Sequence, residues 1–385
     1  MTAISTPRTY LDADSHVLEP TDWLTPYADP GVRERLRTLP HPLAPDTDAA
    51  ARLVAARSED PPKGALDDEM LWGRGYDAYG AWDPSERSAI LDKFNIAAQL
   101  VFSTFAPGQF LSKDMDTDLL YGGIRAHTRA LAEFCSADPR LLAVPLIPFV
   151  DVGRAIEELE FALAQNPGAI VVNSTSPSKT MGPGHRALDP IWARLQDADT
   201  PFVSHVGTGG KLVPTGYREN GRPLPPDFLG GGENIRSKDF INIGYWPENF
   251  LSCLALDGVF ERFPRLRGAS IEQGAEWVPG MLKKLDGAMQ FSRTEPDLAA
   301  LPLKASDYIR RQVKFTPFAK DDVGWVLDNV GPDLLMFSTD FPHPEGTRDP
   351  IGRFETHLER FDNAVRDRFY VGNMTELIGT SLSIS

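Results

Sequence analysis

Cysteine is nearly absent: the 385-residue chain has two, Cys135 and Cys253. Neither stands in a Cys pair of zinc or redox spacing, which excludes a disulfide framework, a thiolate zinc site and a thioredoxin-type motif. Both lie in apolar, helix-like surroundings and read as buried thiols, suited to a reducing compartment. Long hydrophobic runs are missing as well. No stretch approaches the length of a membrane span, and residues 1–10 carry no apolar leader segment. The expected location is therefore the cytoplasm, away from any membrane. Positive charge is in short supply: 39 Lys and Arg against 54 Asp and Glu leave a net −15. An acidic surface repels phosphate backbones, so nucleic acid is not an expected partner. The glycine clusters at 207–210 and 230–232 lack the strand-to-helix setting of a nucleotide fingerprint, and there is no nucleophile elbow. With no internal repeat, low-complexity tract or linker, residues 1–385 read as one domain.

What is present is a repeating alternation. Short apolar runs at 9–13, 99–102, 141–150, 169–172, 201–204, 266–271, 312–316 and 334–337 read as strands. Most are continuously apolar, as strands buried on both faces are. Between them lie helical patterns. Residues 153–165 place Ile156, Leu159 and Leu163 on one face, with Asp151 as N-cap. Residues 84–94, 188–197, 247–263, 277–291 and 321–329 also read as helices. Eight strands with helices between them predict an α/β fold, a (β/α)8 TIM barrel. Two long irregular stretches interrupt the repeat, at about 21–80 after strand 1 and 207–238 after strand 5. Insertions after strands belong to the barrel end where active sites form.

The placement of histidine is the most informative feature. Of seven, His16, His205 and His343 fall just past a predicted strand, and Asp14 and Asp340 fall beside them. The C-terminal ends of barrel strands converge on one mouth, although they are far apart in sequence. Asp14 and His16, two apart on an extended segment, point the same way. With His205 and Asp340 they make two imidazoles and two carboxylates facing a common centre. That donor set suits a borderline divalent metal such as zinc, or manganese or iron, and is too rich in nitrogen for calcium. His127 sits inside a helical pattern and reads as a packed residue; His41, His185 and His357 carry no signal.

These residues carry a resemblance. Asp12-Ala13-Asp14-Ser15-His16-Val17-Leu18-Glu19-Pro20, Ala132 to Arg140, Glu272 to Pro279, Ser338 to His343 and Gly372 to Leu377 are similar to motifs of the amidohydrolase superfamily, specifically its second family. That group holds aminocarboxymuconate-semialdehyde decarboxylase, related aromatic-acid decarboxylases and many hydrolases. The resemblance implies metal ligation by Asp14, His16, His205 and Asp340. Asp14 stands where the family places a His or Glu. It further implies that Asp340 takes a proton from water or passes one to substrate. One position departs: where the decarboxylases carry a strand-6 His, this chain has Gln273, preceded by Glu272. The catalytic candidates are therefore Asp340, His343 and Glu272, with Glu272 alternatively an ion-pair partner of Arg265 or Arg267. Glu276 reads as a helix-opening carboxylate favoured by the dipole.

Phe102, Phe105 and Trp246 follow strands at the same mouth and suit a planar substrate, aromatic or carboxylate-bearing. Arg218, with Lys211 and Arg222, could meet an anionic group or simply be a solvated loop charge. The expected activity is metal-dependent hydrolysis of a small molecule through an activated water. Metal-dependent non-oxidative decarboxylation is the alternative, and a non-catalytic binding barrel is the rival from another class. A homo-oligomer, a dimer, is the expected assembly.

Overall fold

Strand β1 (Tyr10–Val17) pairs in parallel with β2 (Ile96–Ser103), and β2 with β3 (Leu141–Ala143). A second parallel group runs β4 (Ile170–Val171), β5 (Phe202–His205), β6 (Gly268–Ile271) and β7 (Val313–Phe315). The computed structural model describes residues 8–39, 46–59, 76, 78–110, 115–223, 235–343, 346–347 and 349–379. Two seams join the groups into a ring. At the first, Leu146 bridges Val171, and Ile147 N donates to Val171 O at 3.0 Å. At the second, the eighth segment runs from Leu334 to Phe341. It bridges Phe315 through Leu335 and Ser15 through Phe341. Ala13 N donates to Phe337 O at 3.0 Å and Asp340 N to Asp14 O at 2.9 Å, closing the circuit. The fold is the expected eight-stranded α/β barrel.

Several boundaries differ from the sequence expectation, each for a local reason. Strand β1 runs four residues further, through His16 and Val17, because Ser15–Val17 find partners in Val101–Ser103. Between Asp12 and Ser15, three steps of β1 oppose two of β2, a bulge that re-aims Asp14. Strand β3 stops at Ala143, since Pro145 and Pro148 cannot donate to a ladder. The helix expected at 247–263 breaks into Tyr245–Leu256 and Val259–Arg262 at Gly258, whose left-handed φ of 70° favours glycine. Cys135 is buried as expected, whereas Cys253 is only partly so.

The helices pack outside the ring: α1 (Pro84–Phe94), α2 (Thr117–Cys135), α3 (Val152–Leu163), α4 (Asp189–Asp197) and α5 (Tyr245–Leu256) lead the set. Asp151 caps α3 by accepting Arg154 N–H at 3.0 Å. Trp192 of α4, Phe202 of β5 and Phe260 are fully buried together, and large side chains of this kind each contribute about 1.5–3 kcal/mol. Near the C-terminus the buried Asn373 donates to Pro332 O and Leu335 O (2.8 and 2.7 Å), supplying partners to the eighth segment.

Both insertions lie where expected, after β1 and β5; their residues 40–45, 60–75, 77 and 224–234 fall outside the described residues. In the first, Trp23, Leu24, Leu39 and Tyr76 are buried in the barrel's main core cluster. In the second, the Trp246 ring lies so close to Gly209 and Gly210 that a Cβ at either would overlap it.

Candidate metal centre and active site

Asp14 and His16 enter the mouth from β1, His205 from the last position of β5. Glu272 follows β6, and Asp340 lies near the end of the eighth segment. Both carboxylate residues turn out of their strands through left-handed backbone, with φ of 52° and 57°. Non-glycine residues seldom adopt that region, and such strain concentrates at functional sites.

The five side chains form a tight buried group. His16 Nε2 lies 3.4 Å from Asp14 Oδ1, 3.5 Å from Glu272 Oε2 and 3.5 Å from Asp340 Oδ1. His205 Nε2 lies 3.4 Å from Asp14 Oδ1 and 3.2 Å from Glu272 Oε2. Asp14, His16, His205 and Glu272 each offer one donor atom within 4.8 Å of all the others, and so do His16, Glu272, Asp340 and His343. These are the separations of neighbouring ligands around one small ion.

The local electrostatics also ask for positive charge. Burial alone would push the His16 imidazolium toward deprotonation, but the Asp14 and Glu272 carboxylates raise its pKa to about 10. Burial alone would raise the Asp14 carboxyl; the two imidazoles bring it below its ordinary value instead. Neither ring nitrogen of His16 nor Glu272 Oε2 has a hydrogen-bond partner of good geometry, although all are buried. Buried polar atoms without partners are costly. A divalent cation would satisfy His16 Nε2 and Glu272 Oε2 together, so the residues fit a metal. His205 is oriented for the task, since its Nδ1 lies 2.9 Å from Val206 O and leaves Nε2 facing the centre.

A second layer holds these donors. Asp12 is fully buried; its Oδ1 accepts Asp14 N–H (3.2 Å) and Thr339 N–H (2.8 Å), and its Oδ2 accepts from Gln99 and the Thr339 hydroxyl. One carboxylate thus ties Asp14 of β1 to the segment carrying Asp340. Burial pushes its pKa up to about 6 against those hydrogen bonds. The buried Arg87 of α1 holds His16 O from behind, together with Gly80 O at 2.6 Å and Gln99 Oε1 at 3.1 Å. Sequence reading missed both residues. A lone Asp in a strand and an Arg in a helix give no local signal of convergence.

His343 stacks on His16 with ring centroids 3.9 Å apart, and its Nδ1 lies 3.1 Å from Asp340 Oδ1. Burial holds its pKa well below the usual value, reinforced by charge on His16, His205 and Arg87. Glu272 does not pair with Arg265 or Arg267, which face Asp197 and Asp199 instead. Gln273 is turned away from the centre, where Oε1 accepts from the Ser204 and Ser270 hydroxyls (3.1 and 2.5 Å). Glu276 accepts Asp322 N–H at 2.9 Å.

The aromatic and basic candidates divide. The Phe102 ring lies 4.6 Å from that of His205, at the centre. Phe105 stacks on Tyr76 at 6.4 Å, in the wall made by the first insertion. Trp246 donates to Lys211 O at 3.3 Å, in the second. Arg218 of that insertion is ion-paired with the buried Asp239 just beyond its end. Lys211 bonds Thr215 Oγ1 at 3.1 Å, and Arg222 is exposed. His127 is buried in α2, 2.6 Å from Ser103 Oγ.

A parallel barrel with histidines and carboxylates at its strand ends defines a class of metal-dependent enzyme, and comparison places the chain within it. A family profile described as Amidohydrolase matches residues 41–379. The chain belongs to this amidohydrolase family, whose members are metal-dependent hydrolases and carboxy-lyases. No curated protein sequence matches it. Among solved structures, an amidohydrolase from Mycobacterium avium subsp. paratuberculosis K-10 superposes with a TM-score of 0.75 at 23% identity, covering 97% of this chain and 99% of that one. The 5-carboxyvanillate decarboxylase of Sphingomonas paucimobilis gives 0.62 at 17% identity, covering 96% and 98%. That of Novosphingobium aromaticivorans, solved with bound manganese, gives 0.61 at 16% identity over 96% and 97%. Among the described residues no helix is long and apolar enough to cross a membrane.

Proposed function

We propose that the protein is a metal-dependent hydrolase acting on a small, planar, uncharged carbonyl compound such as an aromatic ester or amide. Asp14, His16, His205 and Glu272, with Asp340, would hold one divalent ion. Zinc suits the two imidazoles; manganese or iron suits the carboxylates equally well. Such an ion lowers the pKa of water and polarises a carbonyl. Asp340 then takes a proton from the water, since a neighbouring cation keeps a carboxylate ionised. His343, 3.1 Å from Asp340, returns that proton to the leaving group. Phe102 supplies an apolar face against which a planar substrate lies.

The observation that carries this reading is Glu272. A carboxylate, not an imidazole, stands at the β6 corner, and Gln273 faces away. Three carboxylates around one dication leave net negative charge, which repels an anionic aromatic acid and tolerates a neutral carbonyl. Decarboxylation is the second reading, favoured by the likeness to carboxyvanillate decarboxylases.

The test is a panel of esters, amides and aromatic acids turned over in heavy-oxygen water. We expect heavy oxygen in the acid product. We also expect His343→Ala to slow poor leaving groups more than good ones. Carbon dioxide released from an aromatic acid, with no heavy oxygen in the aromatic product, would establish the decarboxylase instead.

A further inference from the structure

We propose that Glu19 is a positioning residue for substrate selection. It holds both halves of an aromatic wall at the barrel mouth, and so gives the site a preference for flat carbonyl compounds over puckered ones. The inference deepens, and rests on, the reading above of a small planar carbonyl substrate.

Glu19 stands three residues past His16, in the segment that leaves β1 for the first insertion. It is fully buried, and both its carboxylate oxygens are engaged. Oε1 accepts the N–H groups of Phe105 and Ala106 (3.1 and 3.0 Å), and Oε2 those of Thr104 and Phe105 (3.1 and 3.0 Å). Three consecutive amides turned onto one carboxylate form a cradle for negative charge, and such bonds are about twice as strong as neutral ones. They fix the loop that follows β2. The main-chain oxygen of Glu19 is engaged as well, accepting the Tyr76 hydroxyl at 2.8 Å. Tyr76 belongs to the first insertion, and its own carbonyl accepts Trp82 Nε1–H at 2.7 Å.

The rings of Phe105 and Tyr76 stack, with centroids 6.4 Å apart and planes 21° from parallel. Glu19 therefore grips each member of the pair, one through its side chain and the other through its backbone. Thr104 places this loop beside the candidate centre, since its Oγ1 lies 3.0 Å from His343 Nε2. Phe102, at the end of β2, already lies against His205. Phe105 is only half-buried, so part of its ring stays available for contact. An aromatic face held in a fixed plane favours a flat ring laid against it, whereas a puckered ring of the same size brings fewer atoms to contact distance.

Glu19→Gln removes this grip with little change of shape. It leaves one oxygen and sets an NH2 group against at least two of the three amides, whichever way the side chain turns.

The zinc-loaded full chain is tested by equilibrium dialysis with acetophenone and with cyclohexyl methyl ketone. The two share the methyl ketone and differ in the flatness of the ring. Neither has a bond that hydrolysis or decarboxylation breaks, so binding is read without turnover. The wild type should favour acetophenone by about 3–10-fold. That preference should fall toward parity in Glu19→Gln and in Phe105→Leu, while zinc affinity, read by chelator competition, is unchanged in both. Hydrogen exchange at the amides of residues 104–106 should quicken in Glu19→Gln. If that variant does not fold, Glu19→Asp, whose carboxylate stops one methylene short of the amides, is read in the same way. Equal affinity of the wild type for the two ketones, an unchanged preference in either folded variant, unchanged exchange at 104–106, or a loss of zinc affinity alongside the loss of preference would overturn the proposal. A decarboxylase outcome in the heavy-oxygen assay would replace the hydrolytic reading and leave the ketone preference to be judged by itself.

Discussion

At the scale of single residues, the centre depends on carboxylates aimed by unusual backbone. Asp14 sits in a β-bulge, and Glu272 and Asp340 sit at positive φ. Four of the five converging donors were legible as candidate metal ligands from their places at strand ends. The fifth, Glu272, was legible only as a catalytic candidate, because nothing in a linear sequence shows which of two adjacent residues a turn points inward. The structure turns Glu272 in and Gln273 out. Glu272→Gln keeps the shape and removes one anionic donor. It should weaken metal binding at least about tenfold while the fold persists, as read by chelator competition and circular dichroism. Unchanged affinity would remove Glu272 from the ligand set.

At the scale of elements, the barrel was legible because its strands are short, apolar and separated by amphipathic helices. The edges were less so. Polar Asp14, Ser15 and His16 read as a strand's end, yet tertiary pairing with β2 keeps them in the strand. Pairing also joins the eighth segment, through scattered bridges rather than a ladder. Side chains secure the turns between elements. Before β3, Asp138 accepts from Arg140 N, Nε and Nη2 (2.9, 3.0 and 2.7 Å) and from Ser88 Oγ of α1 (2.8 Å). Arg140 holds the Asp138 carboxyl down at about 2, against burial and with help from Ser88. A depressed carboxyl stabilises the fold above its unfolded pKa near 4, and that stabilisation is lost as pH falls through 2. Asp138→Asn should therefore cost roughly 1–2 kcal/mol at neutral pH. The difference should shrink steadily between pH 4 and pH 2, measured by urea unfolding. A gap that stays constant over that range would show that the charge of Asp138 is not what stabilises the turn.

At the scale of the whole molecule, the chain gathers residues far apart in sequence into one buried polar cluster. β1 brings Asp14 and His16, β5 brings His205, β6 leads to Glu272, and the eighth segment brings Asp340 and His343. A cluster of three carboxylates and three imidazoles beneath a barrel mouth favours a cation among them, because buried carboxylates are costly without compensating charge. The single measurement that tests this most directly is elemental analysis of purified wild type, His205→Ala and Asp340→Asn. The account predicts about one divalent ion per chain in the wild type and a large loss of bound metal in both variants, each still folded. Full metal occupancy in both variants, or a wild type that binds no divalent ion when offered zinc, manganese or iron, would contradict it.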